Sequence, residues 1–460
     1  GEWKMKQRKF GVRDQFGYAL GDIGGSFVNL YIGSFFLLFT TTVLGVSPYF
    51  MGTLFLVSRI FDAFTDVVMG SIPDRWKLGK SGDKFLPYIN ISKWFLAGSV
   101  LLAFTDVSSW GSTAVHVWVV VVYLFYGIAY TADSIPYGSL AAVITQDPIE
   151  RTKLSRARAV GGMVVGIGAM SFIPMFIYDN GGNVVPDAFF KVAIVFSILS
   201  LLAYTGLVRL STERIRDDEA NKKKADYKFK DAFIAAFKNR QLIGMMVASV
   251  GSLILINGVM QLAAIVFAEY YGNPGAFAIN AFVQMGVTFV LFLTVPKLVK
   301  VVGKRNLVIA TASFSIVGSA LLTIFIIENV YLYIALYNIA TIANMVFVMI
   351  VWALVTDSLD YTELQTGRRY DGTLFSIYSF SRKVGMGIGS ALGSYALGWV
   401  GFVSGAESQT REVAEGVLRM YNGLPIAGFV LMLIGLLFIY NLNTDRTNEM
   451  YKELEERRAA

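Results

Sequence analysis

The segment VSRIFDAFTDVVMG, residues 57–70, places Arg59, Asp62 and Asp66 inside a run otherwise apolar enough to cross a membrane. A spacing of four sets Asp62 and Asp66 on one helix face, and Arg59, three residues earlier, shares that face. Each ionisable group at the bilayer centre costs about 2.5–3.5 kcal/mol on insertion scales. Three of them within two turns read as a cation or proton site facing a protein interior. The structural reading of the same residues is a salt bridge with Arg59 or Lys383.

Working outward, the chain has 460 residues, 55% hydrophobic and 16% charged, with no cysteine and a single histidine. Mean hydropathy is +0.55. A soluble domain carries about 25% charged residues, so this is a polytopic helical membrane chain. Thiolate and multi-histidine metal centres are excluded. The net charge of +7 lies in short loops and is no nucleic-acid signal. The charged start, GEWKMKQRKF, does not read as a cleavable signal peptide.

Apolar runs predict about twelve spans, near 14–43, 48–72, 85–105, 114–141, 158–178, 188–210, 240–269, 275–301, 305–327, 330–357, 372–403 and 415–442. Lys and Arg concentrate in the N-terminal segment and alternate loops, with Arg411 as the exception, which places both termini in the cytoplasm. The longest loop divides the chain into a first six-helix bundle (1–210), a cytoplasmic middle loop (211–239), a second bundle (240–442) and a cytoplasmic tail (443–460). A faint repeat supports two halves. AAVITQDPIERTKLSRARAVGGMVVGIG (141–168) and ALVTDSLDYTELQTGRRYDGTLFSIYSFSRKVGMGIG (353–389) each leave a span, cross a polar loop and re-enter through an arginine before glycines. The expectation is an all-α membrane protein of two pseudo-symmetric bundles, the major facilitator architecture.

Other polar residues fall inside spans. Asp22 is followed at helical spacing by Ser26 and Asn29. They line a cavity or, for the serine, bond backbone carbonyls. Asp133 and Ser134 precede Pro136, which frees a backbone carbonyl where irregular helix lines a cavity. Thr131 offers a further hard oxygen for sodium, and Tyr130 a face on which a sugar ring can stack. Arg158 enters span five as Arg382 and Lys383 enter span eleven. The glycine-rich stretches at 161–168 and 385–393 read as close-packing surfaces, and His116 as an interfacial histidine.

These residues resemble the glycoside–pentoside–hexuronide:cation symporters, the melibiose permease family of the major facilitator superfamily. The resemblance runs the whole length: FGYALGD (16–22), GTLFLVSRIFDAFTDVVMG (52–70), KFLPYI (84–89), SIPYGSLAAVITQDPIERTKL (134–154) and the 357–389 segment. SIPYGS is closest to glucuronide- and xyloside-type members. The resemblance implies a coupling-cation site at Asp62, Asp66 and Thr131, with Lys383 joining cation and sugar sites. It implies sugar contacts at Tyr130 and Arg158. Arg59, Asp357, Asp360 and Arg368 are expected to be structural or gating residues. Where the melibiose permease grips galactoside hydroxyls with two aspartates, this chain has Ser26 and Ser134, with its own Asp22 and Asp133 offset by four residues and by one. Gly138 stands in place of a tryptophan, and Thr65 in place of an asparagine.

The sequence therefore predicts a cation-coupled importer of a sugar or glycoside (pentoside, hexuronide or related) in the bacterial cytoplasmic membrane. It is expected to work as a monomer with no cofactor and no nucleic-acid partner. Substrate contacts are expected at Asp22, Ser26, Asn29, Tyr130, Asp133, Ser134, Arg158 and Lys383. The coupling ion is H+ or Na+, with Asp62 and Asp66 as sodium ligands in the second case and Thr65 inclining the reading to the proton. A lysophospholipid transporter of the same fold and a membrane-embedded sugar-processing enzyme are the competing readings. The second is disfavoured because no loop exceeds about 30 residues and the acidic pair sits mid-span.

Overall fold

The computed structural model describes residues 8–76, 78, 82–145, 147–214, 229–367 and 371–459. Among them, regular structure is helical apart from one isolated bridge, Tyr178 to Val184. The helices are α1 (Val12–Thr42), α2 (Pro48–Arg75), α3 (Leu86–Ala103), α4 (Ser112–Ile144), α5 (Pro148–Met163), α6 (Pro174–Ile177), α7 (Pro186–Leu210) and α8 (Phe229–Lys238). They continue as α9 (Arg240–Leu253), α10 (Met260–Ile265), α11 (Ala276–Val302), α12 (Lys304–Ile324), α13 (Val330–Ala340), α14 (Ile342–Thr366), α15 (Asp371–Trp399), α16 (Arg411–Leu433) and α17 (Thr444–Ala459). Turns of π-helix follow α5 (Val164–Ala169), α9 (Ile254–Val259), α10 (Val266–Tyr270) and α16 (Ile434–Ile439).

Local chemistry sets several boundaries. Asp147 begins α5 by accepting the Ile149 N–H, with Pro148 at the first helical position. Asn239 and Asn329 each accept two N–H groups at the starts of α9 and α13. Such caps are worth about 1 kcal/mol each. Gly303, at φ 87°, makes the turn between α11 and α12, and Gly367, at φ 67°, ends α14.

Ten stretches among the described residues are long and apolar enough to cross a membrane. Helices α2 and α15 are equally long but fall outside those ten. They carry Arg59, Asp62 and Asp66, and Arg382 and Lys383, whose polarity lowers their hydropathy. Two expected boundaries move. Helix α4 runs unbroken past Pro136 to Ile144, and α14 runs to Thr366, so Asp357 and Asp360 lie within a helix rather than at a span end.

The described chain packs as two units. The first comprises residues 1–46, 61–225 and 404–407. Here α1 packs on α7 and α5, and α3 on α4 and α7. Glycines permit the approach: a Cβ on Gly161 would lie 2.6 Å from the Ala19 carbonyl oxygen. An aromatic cluster fills the interior. Tyr31 stacks on Phe104 at 4.2 Å and donates to the Phe189 carbonyl at 2.8 Å. At one end, buried Asp14 accepts from Arg8 (2.7 Å), Arg214 (2.9 Å) and the Gly11 N–H (3.2 Å). Glu213 accepts the first three N–H groups at the start of α3, from Lys84, Phe85 and Leu86, at 2.6–2.7 Å.

The second unit comprises residues 47–60, 226–403 and 408–460. Helix α9 packs between α15 and α16, and α12 lies on α16. A Cβ on Gly393 would fall 2.4 Å from the Gly258 oxygen, and one on Gly428 2.5 Å from the Gly251 oxygen. These glycines form a packing seam, of which only Gly393 lies in a stretch the sequence marked for close packing. Neutral side chains tie the interior: Asn338 to Asn280 (2.8 Å), Ser252 to Asn344 (2.6 Å) and Tyr333 to Asn422 (2.6 Å).

Candidate functional site

Helix α4 presents three different faces within one turn. On the face towards the lower half of α2, Gly127 and Thr131 lie four residues apart, matching the spacing of Asp62 and Asp66. A Cβ on Gly127 would sit 2.6 Å from Asp62 Oδ1, so the carboxylate rests against bare α4 backbone. Thr131 donates to Asp66 Oδ1 at 2.9 Å. Asp62 and Thr131 are buried, and Asp66 is half-buried. Thr65 donates to the Asp62 carbonyl at 3.0 Å. The structure thus brings together the three residues expected at the cation site: carboxylates from α2 and a hydroxyl from α4.

A second face of α4 opens on a small polar cavity of about 40 Å³ within the same unit. Asp22, Ser26 and Asn29 line it from α1; Tyr130, Asp133, Ser134 and Tyr137 from α4; Arg158 from α5; and Tyr204 from α7. Seven of the eight expected sugar contacts therefore share one cavity. Arg158 Nε donates to Asp22 Oδ1 at 3.0 Å, and Ser26 donates to Asp22 Oδ2 at 3.4 Å. The Arg158 guanidinium also stands over the Tyr137 ring, 5.0 Å from its centre. Tyr137 stacks on Tyr18 at 4.7 Å and donates to the Tyr18 carbonyl at 2.6 Å, which fixes the floor under the arginine. Asn29 accepts from Tyr126 at 2.6 Å.

Asp133 also lines the cavity, with both of its carboxylate oxygens engaged by neighbouring helices. It is 1% exposed; Ser92 of α3 donates to one carboxylate oxygen at 3.1 Å, and Tyr204 of α7 donates to the other. Its oxygens are directed to neighbouring helices at the back of the cavity.

The eighth expected contact, Lys383, belongs to the second unit and is half-buried on α15, beside Arg382, whose guanidinium lies 5.2 Å from the centre of the Trp352 ring. Asp357 is buried and accepts from Lys304 and from Tyr451 of α17; Asp360 is half-buried one turn later. Arg59 is half-buried with its Cβ packed near Gly387. Arg368 lies outside the described residues. His116 Nδ1 is 2.7 Å from the Ser112 carbonyl oxygen of its own helix, as suits an interfacial side chain. No group of three or more His, Asp or Glu side chains that could hold a metal occurs among the described residues.

Sequence reasoning missed Tyr137, Tyr204, Ser92 and Gly127. The tyrosines are two among 23 in apolar helices, and nothing local distinguishes them. Gly127 carried a signal: it stands one turn before Thr131, the spacing of the aspartates it faces.

This fold, and a polar cavity buried among membrane-spanning helices, define a transporter. The chain matches the MFS/sugar transport protein family over residues 17–444 and belongs to it, within the glycoside–pentoside–hexuronide symporter group. It is 27% identical to a glucuronide carrier protein homolog of Escherichia coli, covering 96% of this chain and 95% of the relative. It is 28% identical to an isoprimeverose transporter of Lactiplantibacillus pentosus, covering 97% and 92%. Among solved structures, a D-xylose-proton symporter has the same fold at a TM-score of 0.67 and 15% identity, covering 93% of this chain and 97% of that one. The protein is therefore a multi-pass sugar transporter of the plasma membrane and not an enzyme.

Proposed function

We propose that this chain imports a sugar or glycoside together with H+ or Na+, by alternating access between two six-helix bundles with both termini in the cytoplasm. The bundles are residues 1–210 and 240–442, joined by the 211–239 segment and followed by the 443–460 tail. The single chain is the working unit.

The observation that carries the reading is the sharing of one α4 turn by two polar sites. Thr131 bonds Asp66, while Tyr130 and Ser134 face the cavity. Two carboxylates four residues apart repel when both are ionised, and a proton or sodium relieves that repulsion. Asp62, Asp66 and Thr131 supply hard oxygens for the ion. In the cavity, Asp22 and Arg158 stand side by side as acceptor and planar donor, which suits neighbouring hydroxyls of a sugar. Tyr130 provides a face for the ring. Because Asp22 offsets the Arg158 charge, recognition here works through hydroxyls, and pentosides, hexuronides and related glycosides remain the substrate class.

Coupling is reciprocal: a cation that tightens sugar binding is itself held more tightly when sugar is present. A potential of 100 mV supplies about 2.3 kcal/mol per charge, or roughly 45-fold accumulation for one cation per sugar. Asp66→Asn is expected to abolish uphill accumulation in energised vesicles while exchange of sugar across the membrane persists. Wild-type accumulation by this variant would refute the coupling role. Uptake driven by a sodium gradient at clamped pH separates the two ions.

A further inference from the structure

Helix α4 is weakest where it does most. Pro136 has no N–H to offer the Ala132 carbonyl, so the turn carrying residues 130–134 lacks one of its own backbone bonds. Four side chains leave this turn in three directions. Thr131 reaches Asp66 on α2. Tyr130 and Ser134, four residues apart, face the cavity. Asp133 points away from α2 and takes the hydroxyls of Ser92 and Tyr204.

The far side of that last contact is built tightly. Tyr204 is 1% exposed and lies against α1 where a Cβ on Gly24 would meet its ring at 2.7 Å and one on Gly25 its hydroxyl at 2.8 Å. Ser200, one turn earlier on α7, donates to the Gly24 carbonyl at 2.8 Å. Ser92 is buried on α3. Asp133 thus fastens the weakened turn of α4 to α3 and α7 and, through the Tyr204 ring, to the α1 glycines beside Ser26. A buried carboxylate held only by hydroxyls is a costly way to join helices, because desolvation is only partly offset. Its value lies in what it holds in place.

We propose that Asp133 and Tyr204 are positioning residues that anchor the 130–134 turn, so that a change at the Asp62/Asp66 pair, received through Thr131, is delivered to the sugar cavity at Tyr130 and Ser134. This rests on the symport reading above. Without the anchor, the turn follows Asp66 by shifting freely, and the cavity does not feel the cation.

The absence of cysteine allows a test that needs no knowledge of the sugar. Ser134→Cys introduces one thiol into the cavity, and its labelling rate by a small methanethiosulfonate reagent is measured in membranes with and without sodium and at two pH values. In this background the coupling cation is expected to change the rate about fivefold or more, the lower end of ordinary coupling. Adding Tyr204→Phe keeps the ring against Gly24 and removes only the hydroxyl; the cation response is expected to collapse towards unity. Asp133→Asn, which still accepts one bond, retains part of it, and Asp133→Ala none. Thermal unfolding of the same membranes separates this from misfolding, since a merely structural loss lowers stability without removing the rate ratio. An undiminished cation response in both Tyr204→Phe and Asp133→Ala overturns the proposal. If neither cation alters labelling even with Tyr204 and Asp133 intact, the coupled-transport reading itself fails and the proposal falls with it.

Discussion

The interiors of the two units are held together by different chemistry. In the first, charges recur at membrane depth: Asp22 with Arg158, Asp66 with Thr131, and Asp133 with two hydroxyls. In the second, ties among α9, α11, α12, α13, α14 and α16 are neutral amides and hydroxyls, and the buried Asp357 is taken up by Lys304 and by Tyr451 of the tail helix. Neutral interhelical bonds in membranes contribute about 0.6 kcal/mol on average and fix register at little cost. Charges in the same place cost several times that. In the first unit these charges gather around the cavity and the α2–α4 seam.

That contrast can be broken experimentally, and the largest effect is expected at its charged pole. Arg158→Ala leaves Asp22 without its ion pair and removes a charged donor worth about 1.5–3 kcal/mol, or roughly 10–100-fold in sugar affinity. Equilibrium binding across a panel of glycosides checks this, and unchanged affinity would remove the cavity from the argument. Next comes Gly127→Ala. Its Cβ would lie 2.6 Å from Asp62 Oδ1 and force the carboxylate off α4. Overpacking costs about 1–3 kcal/mol, so cation affinity should fall about tenfold while sugar binding at saturating cation is largely recovered. Equal loss of both ligands would show only general damage.

A smaller effect tests a buried charge just beyond the end of α7 in the first unit. Burial pushes the Glu213 carboxyl up, although three backbone N–H groups pull the other way. The folded state then holds this proton more tightly than the unfolded one. Its stability contribution is greatest below the ordinary glutamate range, near 4.3, and is lost as pH rises through the raised value. Glu213→Gln should flatten that part of the thermal-stability profile. The smallest effect belongs to the neutral interior: Tyr333→Phe, which loses the bond to Asn422, should cost about 0.6 kcal/mol of stability and leave transport intact. A transport defect there would blur the division between the two units.

Much of this was legible in the chain because the period of a helix is rigid. The helical spacings of Asp62 with Asp66, and of Asp22 with Ser26 and Asn29, placed each set on one face, and the structure keeps them there. Direction around the helix was not legible for Asp133. It stands one residue from Ser134, yet that single step, about 100°, brings its oxygens to Ser92 of α3 and Tyr204 of α7 at the edge of the cavity. Which tyrosines matter was equally hidden, since partners of Tyr204 come from α1 and α4, far away in sequence. The expected roles of Asp357, Asp360 and Arg59 rested on resemblance; the contact of Asp357 with Tyr451 in the tail could not be read from spacing at all.

The π-turn at Val164–Ala169, immediately beyond the segment carrying Arg158, has a consequence for changes in chain length. A π-turn holds one residue more than the α-helix it interrupts. The stretch after Arg158 therefore contains a spare residue, and its removal would return the helix to ordinary register without disturbing the arginine below. A one-residue deletion inside a membrane helix, ordinarily ruinous, is expected to be tolerated at this position, with the Arg158 segment left in place.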